Sequence, residues 1–117
     1  MIVGIPVYDG VDILDVTGPY EMFSWADLDV QLFAQEPGLV TCRGGLSVHV
    51  TTAFENAPVF DVLWVPGGDP DALARLMGDP ERVYLEFLLK QSINARYVAS
   101  VCEGALLLAA AGLPDGY

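Results

Sequence analysis

The sequence is poor in the residue types that bind metals and polyanions. Its 117 residues include two cysteines, one histidine and five basic side chains, against sixteen acidic ones. Two cysteines make no disulfide framework, and no cysteine–histidine set has the spacing of a zinc site. The net charge of −11 argues against nucleic-acid binding, which needs clustered basic side chains, and against docking on anionic lipid. We therefore expect neither a metal nor an organic cofactor.

The sequence also lacks a basic leader and any long apolar span. We therefore expect a cytoplasmic protein with no membrane-spanning segment. Hydrophobic residues make up 53% of the chain, which predicts a packed core rather than disorder. The length suits one small domain over residues 1–117.

Short apolar runs alternate with stretches of helical spacing. The runs predict strands over residues 2–8, 30–34, 61–65 and 97–101, and a β-hairpin over 39–50. Helices are predicted from Pro19, in a first turn, to Trp25, over 71–92 with a break near 78–80, and over 103–111 with Gly112 as the cap. This order predicts an α/β fold: a flavodoxin-like parallel sheet with helices on both faces and a small β-hairpin.

Cys102 ends an apolar strand and is followed at once by a helix rich in alanine and leucine. Backbone N–H groups and the positive end of a helix dipole lower the pKa of a thiol on such a turn, so we interpret Cys102 as a nucleophile. A free cysteine is also commonly a buried hydrophobe. The position at the carboxyl end of a parallel strand favours chemistry, because ligands gather at that edge.

Two further segments are expected at the same edge. Residues 66–68, a Pro-Gly-Gly turn, present bare backbone N–H groups of the kind that an oxyanion hole requires. Asp15 lies inside an apolar run and is the candidate proton carrier; Asp12 is the alternative, and either is equally a helix N-cap. Glu103 either touches the thiol or complements the helix dipole.

The remaining candidates are given structural roles. His49 is predicted to be an exposed hairpin residue, and Cys42 to be structural. The aromatic residues at core-like spacing are Phe23, Trp25, Phe33, Trp64, Tyr84 and Phe87.

Together these motifs resemble the amino-terminal part of the ThiJ/PfpI superfamily, a branch of the class I glutamine-amidotransferase-like folds. The matching segments are DILDVTGP at 12–19, VPGG at 65–68, SVCEGA at 100–105 and LLAAAGL at 107–113. They are most similar to the isocyanide (isonitrile) hydratase branch. The resemblance implies that Cys102 adds to the isocyanide carbon, that Asp15 manages the proton and that water releases an N-substituted formamide.

The resemblance also implies the surroundings of the thiol. Backbone N–H groups near Gly68 and Glu103 would bind the developing anion, and Gly67 and Thr17 would line the substrate pocket. A threonine typically follows the cysteine in that branch, whereas this chain has Glu103.

Relatives of this kind continue past the position of Tyr117 with elements that complete the sheet, so the fold is expected to be truncated on its carboxyl side. The expected partners are a small-molecule substrate and either a second copy, in a homodimer, or a complementary carboxyl-terminal polypeptide. Two alternatives stay open: a glyoxalase- or amidase-like member of the superfamily, and a non-enzymatic ligand- or redox-sensing domain that uses Cys102 as an oxidisable thiol.

Overall fold

Four parallel strands form the central sheet of the protein, whose computed structural model describes residues 1–113. The strands of the chain are β1 (Ile2–Pro6), β2 (Asp29–Phe33), β3 (Gly38–Thr41), β4 (Ser47–Val50), β5 (Val62–Val65) and β6 (Tyr97–Ser100). The sheet has the order β2-β1-β5-β6, and β3 and β4 pair separately as an antiparallel hairpin. The predicted parallel sheet and hairpin are both confirmed, with β1 ending two residues earlier than expected.

Helices flank this sheet. They are α1 (Ile13–Trp25), α2 (Pro70–Gly78), α3 (Val83–Asn94) and α4 (Gly104–Ala111), with a short 3-10 turn at Phe54–Asn56. The predicted break between α2 and α3 is present. In the connecting turn, Asp79 Oδ1 accepts from Glu81 N at 3.0 Å and Asp79 Oδ2 accepts from Val83 N at 3.2 Å. Gly112 ends α4 in the left-handed region at φ 98°, as predicted. Within residues 1–113, every helix is too short or too polar to span a lipid bilayer.

Helix α1 begins six residues before the predicted start, so the prediction that Pro19 lies in a first turn is wrong. Pro19 lies inside the helix and is buried. Proline has no N–H, so the carbonyl of Asp15, four residues earlier, loses its helical donor. The indole Nε1–H of Trp64 replaces that donor at 3.1 Å. A side chain from β5 therefore makes an internal proline tolerable, which the local sequence does not reveal.

One predicted core aromatic is on the surface. Trp25 is 82% exposed at the end of α1, and Leu14 and Met22 on the same helix are also exposed. By contrast, Phe33, Tyr84 and Phe87 are buried, while Phe23 packs edge-on against Trp64 with ring centroids 5.6 Å apart. The expected homodimer or complementary polypeptide stays a prediction.

Gly4, in the centre of the sheet, leaves room for the buried ring of Phe60. A Cβ atom at Gly4 would lie 2.2 Å from Phe60 Cε2, with two other ring atoms within 2.4 Å. We expect Gly4→Ala to lower the free energy of unfolding by about 3 kcal/mol, because the ring must leave its position in a packed core. Gly18→Ala is the matched control: apart from its chain neighbours no atom lies within 4 Å of a Cβ atom there. The gain in helix propensity is offset by contact with the ring of Pro19, so we expect the free energy of unfolding to change by less than about 1 kcal/mol. Equal effects of the two substitutions in thermal unfolding would contradict this account.

Candidate active site

The loops that follow β1 and β5 are tied together at the carboxyl edge of the sheet. Val11 and Gly68 form an isolated antiparallel bridge. On either side of it, Asp12 N donates to Gly67 O and Asp69 N donates to Gly10 O, both at 2.9 Å. The start of α1 is therefore fixed against the Pro-Gly-Gly turn, as the sequence predicted for segments that follow neighbouring strands.

Cys102 lies on the sharp turn between β6 and α4. Its φ of 48° is in the left-handed region, which is unusual for a residue with a side chain and typical of a strand-to-helix elbow. The turn is closed by hydrogen bonds from Gly104 N to Val101 O at 2.9 Å and from Val101 N to Val65 O at 3.2 Å. The thiol is exposed at this edge.

Asp15 joins the thiol to the Pro-Gly-Gly turn. The thiol of Cys102 donates to Asp15 Oδ1 at 3.6 Å, and the backbone N–H of Gly67 donates to Oδ2 at 3.1 Å. Both carboxylate oxygens are therefore engaged, and the side chain is half-buried. The structure brings the predicted nucleophile and proton carrier together across 87 residues of sequence.

The prediction of a lowered thiol pKa is wrong for these surroundings. The Asp15 carboxylate, through its charge and its hydrogen bond with the thiol, raises the pKa of Cys102 above its ordinary value, and Glu103 and Asp12 add to the effect. The exposed thiol is thus kept protonated at neutral pH beside a proton acceptor. The predicted lowering of the pKa rested on the helix dipole and left out the charges of these carboxylates.

Asp12, the alternative proton carrier, stands next to the same group. Its carboxylate and the Asp15 and Cys102 ligand atoms lie within 4.8 Å of one another. Burial, followed by the charges of Asp15 and Glu103, raises the pKa of Asp12. A cation can bridge such a set, but exposed acidic groups often show this spacing without one, so the distances alone assign no metal.

Of the predicted anion-binding amides, that of Glu103 lies where the Cys102 turn meets the Pro-Gly-Gly turn. A Cβ atom built on Gly67 would lie 3.0 Å from Glu103 N and 3.1 Å from Cys102 Cβ, so the two segments meet at this glycine. Within residues 1–113, neither Gly68 N nor Glu103 N donates a hydrogen bond to the protein, whereas Gly67 N is taken by Asp15. The oxyanion role of these amides stays a prediction.

The structure does not bring Thr17 to the thiol. Its hydroxyl donates to Ile13 O at 3.0 Å, and it lines a separate cavity of about 500 Å³ between α1, β2 and β4. The predicted place of Thr17 in the substrate pocket is therefore not supported. His49 is exposed on β4 and lines that same cavity, while Cys42 is buried, as predicted for both.

Two residues near the site were missed by the sequence analysis. The buried Tyr8 donates its hydroxyl to Pro66 O at 2.8 Å and so supports the Pro-Gly-Gly turn from below. Burial, then the charges of Asp12 and Asp15, raises the pKa of Tyr8, which keeps this donor protonated. Arg43, from the hairpin turn, places Nη1 4.0 Å from Asp12 Oδ1. No local signal identifies either residue, because each contact depends on tertiary packing.

Comparison with known proteins relates this fold and site to characterised proteins. The model of the DJ-1/PfpI family matches residues 1–117. The chain is 43% identical to isonitrile hydratase of Pseudomonas putida over 115 residues, 97% of this chain and 49% of that protein. It is 30% identical to a deglycase of Pyrococcus abyssi, over 92% of this chain and 64% of that protein.

A solved structure agrees with these similarities. The crystal structure of a ThiJ/PfpI family protein from Pseudomonas syringae matches with a TM-score of 0.88 and 34% identity, covering 99% of this chain and 48% of that one. The chain thus spans about half the length of the isonitrile hydratase and of this solved relative.

Proposed function

Because this chain belongs to the DJ-1/PfpI family, we propose that its Cys102–Asp15 pair hydrates a small isocyanide to an N-substituted formamide. The observation that carries the proposal is the hydrogen bond from the Cys102 thiol to Asp15 Oδ1 at 3.6 Å, on an exposed strand-to-helix turn. The 43% identity to isonitrile hydratase supports the substrate class.

The proposed reaction begins with the protonated thiol. As the sulfur attacks the terminal carbon of the isocyanide, the S–H proton passes to Asp15, and the carboxyl group then delivers it to that carbon. The product of this step is a thioformimidate, in which sulfur and nitrogen share one CH carbon. A raised thiol pKa suits this sequence, because the proton leaves only as the C–S bond forms.

Water completes the proposed cycle. It adds across the C=N bond of the thioformimidate, so that the oxygen binds the carbon and one hydrogen of water passes to the nitrogen. The C–S bond then breaks as the carbonyl forms, and the other hydrogen of water returns to the sulfur. One isocyanide and one water thus give one formamide, with no redox change and no further reactant. The Gly68 and Glu103 amides would stabilise the charge that develops during these steps.

The test is turnover of an alkyl isocyanide, with the formamide followed by NMR. We expect Cys102→Ala to abolish turnover, because the attacking atom is lost. Cys42→Ala is the matched control, since it removes the other, buried thiol and should retain turnover. Isocyanide hydration that survives in Cys102→Ala would refute the proposal.

A glyoxalase- or amidase-like reaction of the same thiol is the second candidate, and the deglycase relatives support it. Methylglyoxal consumption without isocyanide hydration in the same assay would favour it.

The redox-sensing alternative is less well supported, because it calls for a readily ionised thiol and the neighbouring carboxylates raise the pKa of Cys102.

A further inference from the structure

Three carboxylates surround the thiol, and we call Asp12, Asp15 and Glu103 the thiol-side carboxylates. Asp12 and Asp15 place ligand atoms within 4.8 Å of the sulfur and of one another. Glu103 reaches the group from the opposite loop: its Oε2 would lie 2.8 Å from a Cβ atom on Gly67, the same point that lies 3.1 Å from Cys102 Cβ. A substrate carbon bonded to the sulfur therefore lies among three acidic groups.

The three thiol-side carboxylates differ in the hydrogen bonds and ion pairs that they make within the protein. Asp15 is engaged by the Cys102 thiol and by Gly67 N, and Asp12 is ion-paired with Arg43 at 4.0 Å. Within residues 1–113, the side chain of Glu103 forms neither a hydrogen bond nor an ion pair. The Glu103 side chain is exposed beside the thiol, so its negative charge acts on a substrate that approaches the sulfur.

Basic charge near this group is sparse. The ion pairs found in residues 1–113 are Arg43–Asp12 and Arg82–Glu86, and only the first lies at the site. Arg43 is 65% exposed and 4.0 Å from its partner, so it neutralises one of the three carboxylates only in part. The sulfur therefore faces a net negative field.

We infer that the site selects substrates whose substituent carries a positive charge, such as an amine or a quaternary ammonium group, and that Glu103 is the residue that sets this preference. The inference rests on the proposed function for the reaction itself. Its physical basis is that a cation carried by the substituent on the isocyanide nitrogen would lie close to an unpaired carboxylate, whereas an anionic group would be repelled by all three.

The experiment measures charge preference at the thiol without requiring turnover. Methanethiosulfonates with a trimethylammonio-ethyl, an uncharged ethyl and a sulfonato-ethyl group transfer the same kind of fragment to a thiol. The rate constants for modification of Cys102 are measured at low ionic strength by mass spectrometry. Because all three reagents react with the same thiolate, any change in thiol pKa cancels in the cation-to-anion rate ratio.

We expect the cation-to-anion ratio for Cys102 to exceed that for free cysteine by about tenfold, and to fall as salt is added. Glu103→Gln should reduce it by about fivefold while keeping the shape of the side chain. Glu81→Gln is the control with the same loss of charge; its neighbour Arg82 contacts Ala110 O at the far end of α4, so the ratio should not change. A ratio equal to that of free cysteine, or one unaffected by Glu103→Gln, would overturn the inference.

A second arm separates this inference from the proposed function. Turnover is compared for a trimethylammonio-ethyl isocyanide and for its neutral analogue, in which a carbon atom replaces the quaternary ammonium nitrogen. A preference for the cation that weakens in Glu103→Gln supports both ideas. Charge-selective thiol modification with no turnover of either isocyanide supports the inference and refutes the proposed function. Turnover without charge preference supports the proposed function and refutes the inference.

Discussion

Asp15→Asn is expected to make the Cys102 thiol easier to ionise and yet to slow turnover by about 100-fold to 10,000-fold. The first change follows because the charge and hydrogen bond of Asp15 are the main causes of the raised pKa of Cys102. The second follows because an amide can accept the Gly67 N–H bond but cannot take up the thiol proton. The pH dependence of alkylation gives the thiol pKa, and formamide production gives the rate.

The opposite directions of these two effects make the prediction specific. A thiol that needed only to be ionised would react faster in Asp15→Asn, since more thiolate would be present at neutral pH. Asp12→Asn is the matched control: Asp12 is the weakest of the causes given for the raised pKa of Cys102, and the Cys102 thiol donates to Asp15 rather than to it. We expect it to shift the thiol pKa only slightly downward. Faster turnover in Asp15→Asn would exclude Asp15 as the proton carrier.

Gly104→Ala is expected to lower the free energy of unfolding by about 1–3 kcal/mol, because the added methyl group overpacks a closed contact. A Cβ atom at Gly104 would lie 2.3 Å from Val65 O and 3.1 Å from Val65 C. Both are backbone atoms of the central strand β5, which cannot rotate away as a side chain can. Helix α4 must move instead, and Cys102 moves with it. A displacement of about 1 Å is enough to cost about 100-fold in turnover.

Gly112→Ala separates displacement of the thiol from loss of stability. Gly112 ends the same helix with φ 98° and no atom within 4 Å of its Cβ position. Alanine there is strained by about 1 kcal/mol without crowding a neighbour. We expect thermal unfolding to shift downward while turnover is kept. If Gly104→Ala and Gly112→Ala both lose stability but neither loses turnover, the packing of α4 against β5 does not position the thiol.

The order of the strands and helices could be read from the sequence because its signals are local. Apolar runs marked β1, β5 and β6, the Gly44-Gly45 turn marked the hairpin, and Gly112 marked the end of α4. Helix α1 could not be read in this way. Its continuation through Pro19 depends on the Trp64 indole, which comes from a strand far along the chain. The exposure of Trp25 likewise depends on which face of α1 meets the sheet.

The features of the candidate site likewise separate into those that local sequence signals predict and those that depend on tertiary contacts. The sequence by itself determined that a cysteine sits on a strand-to-helix turn, that an aspartate follows the first strand and that a Pro-Gly-Gly turn follows another. It also determined that all three meet at one edge of the sheet, because the carboxyl ends of parallel strands share that edge.

Only the tertiary structure decided the electrostatics of that edge. It directed Asp15 onto the thiol and onto Gly67 N, placed Glu103 over Gly67 and brought Arg43 from the hairpin to Asp12. The pKa of a thiol depends on the sum of charges within a few ångströms, wherever they lie in the sequence. Sequence spacing gives the sign of one helix dipole, whereas the carboxylates that raise the thiol pKa are brought together from separate loops.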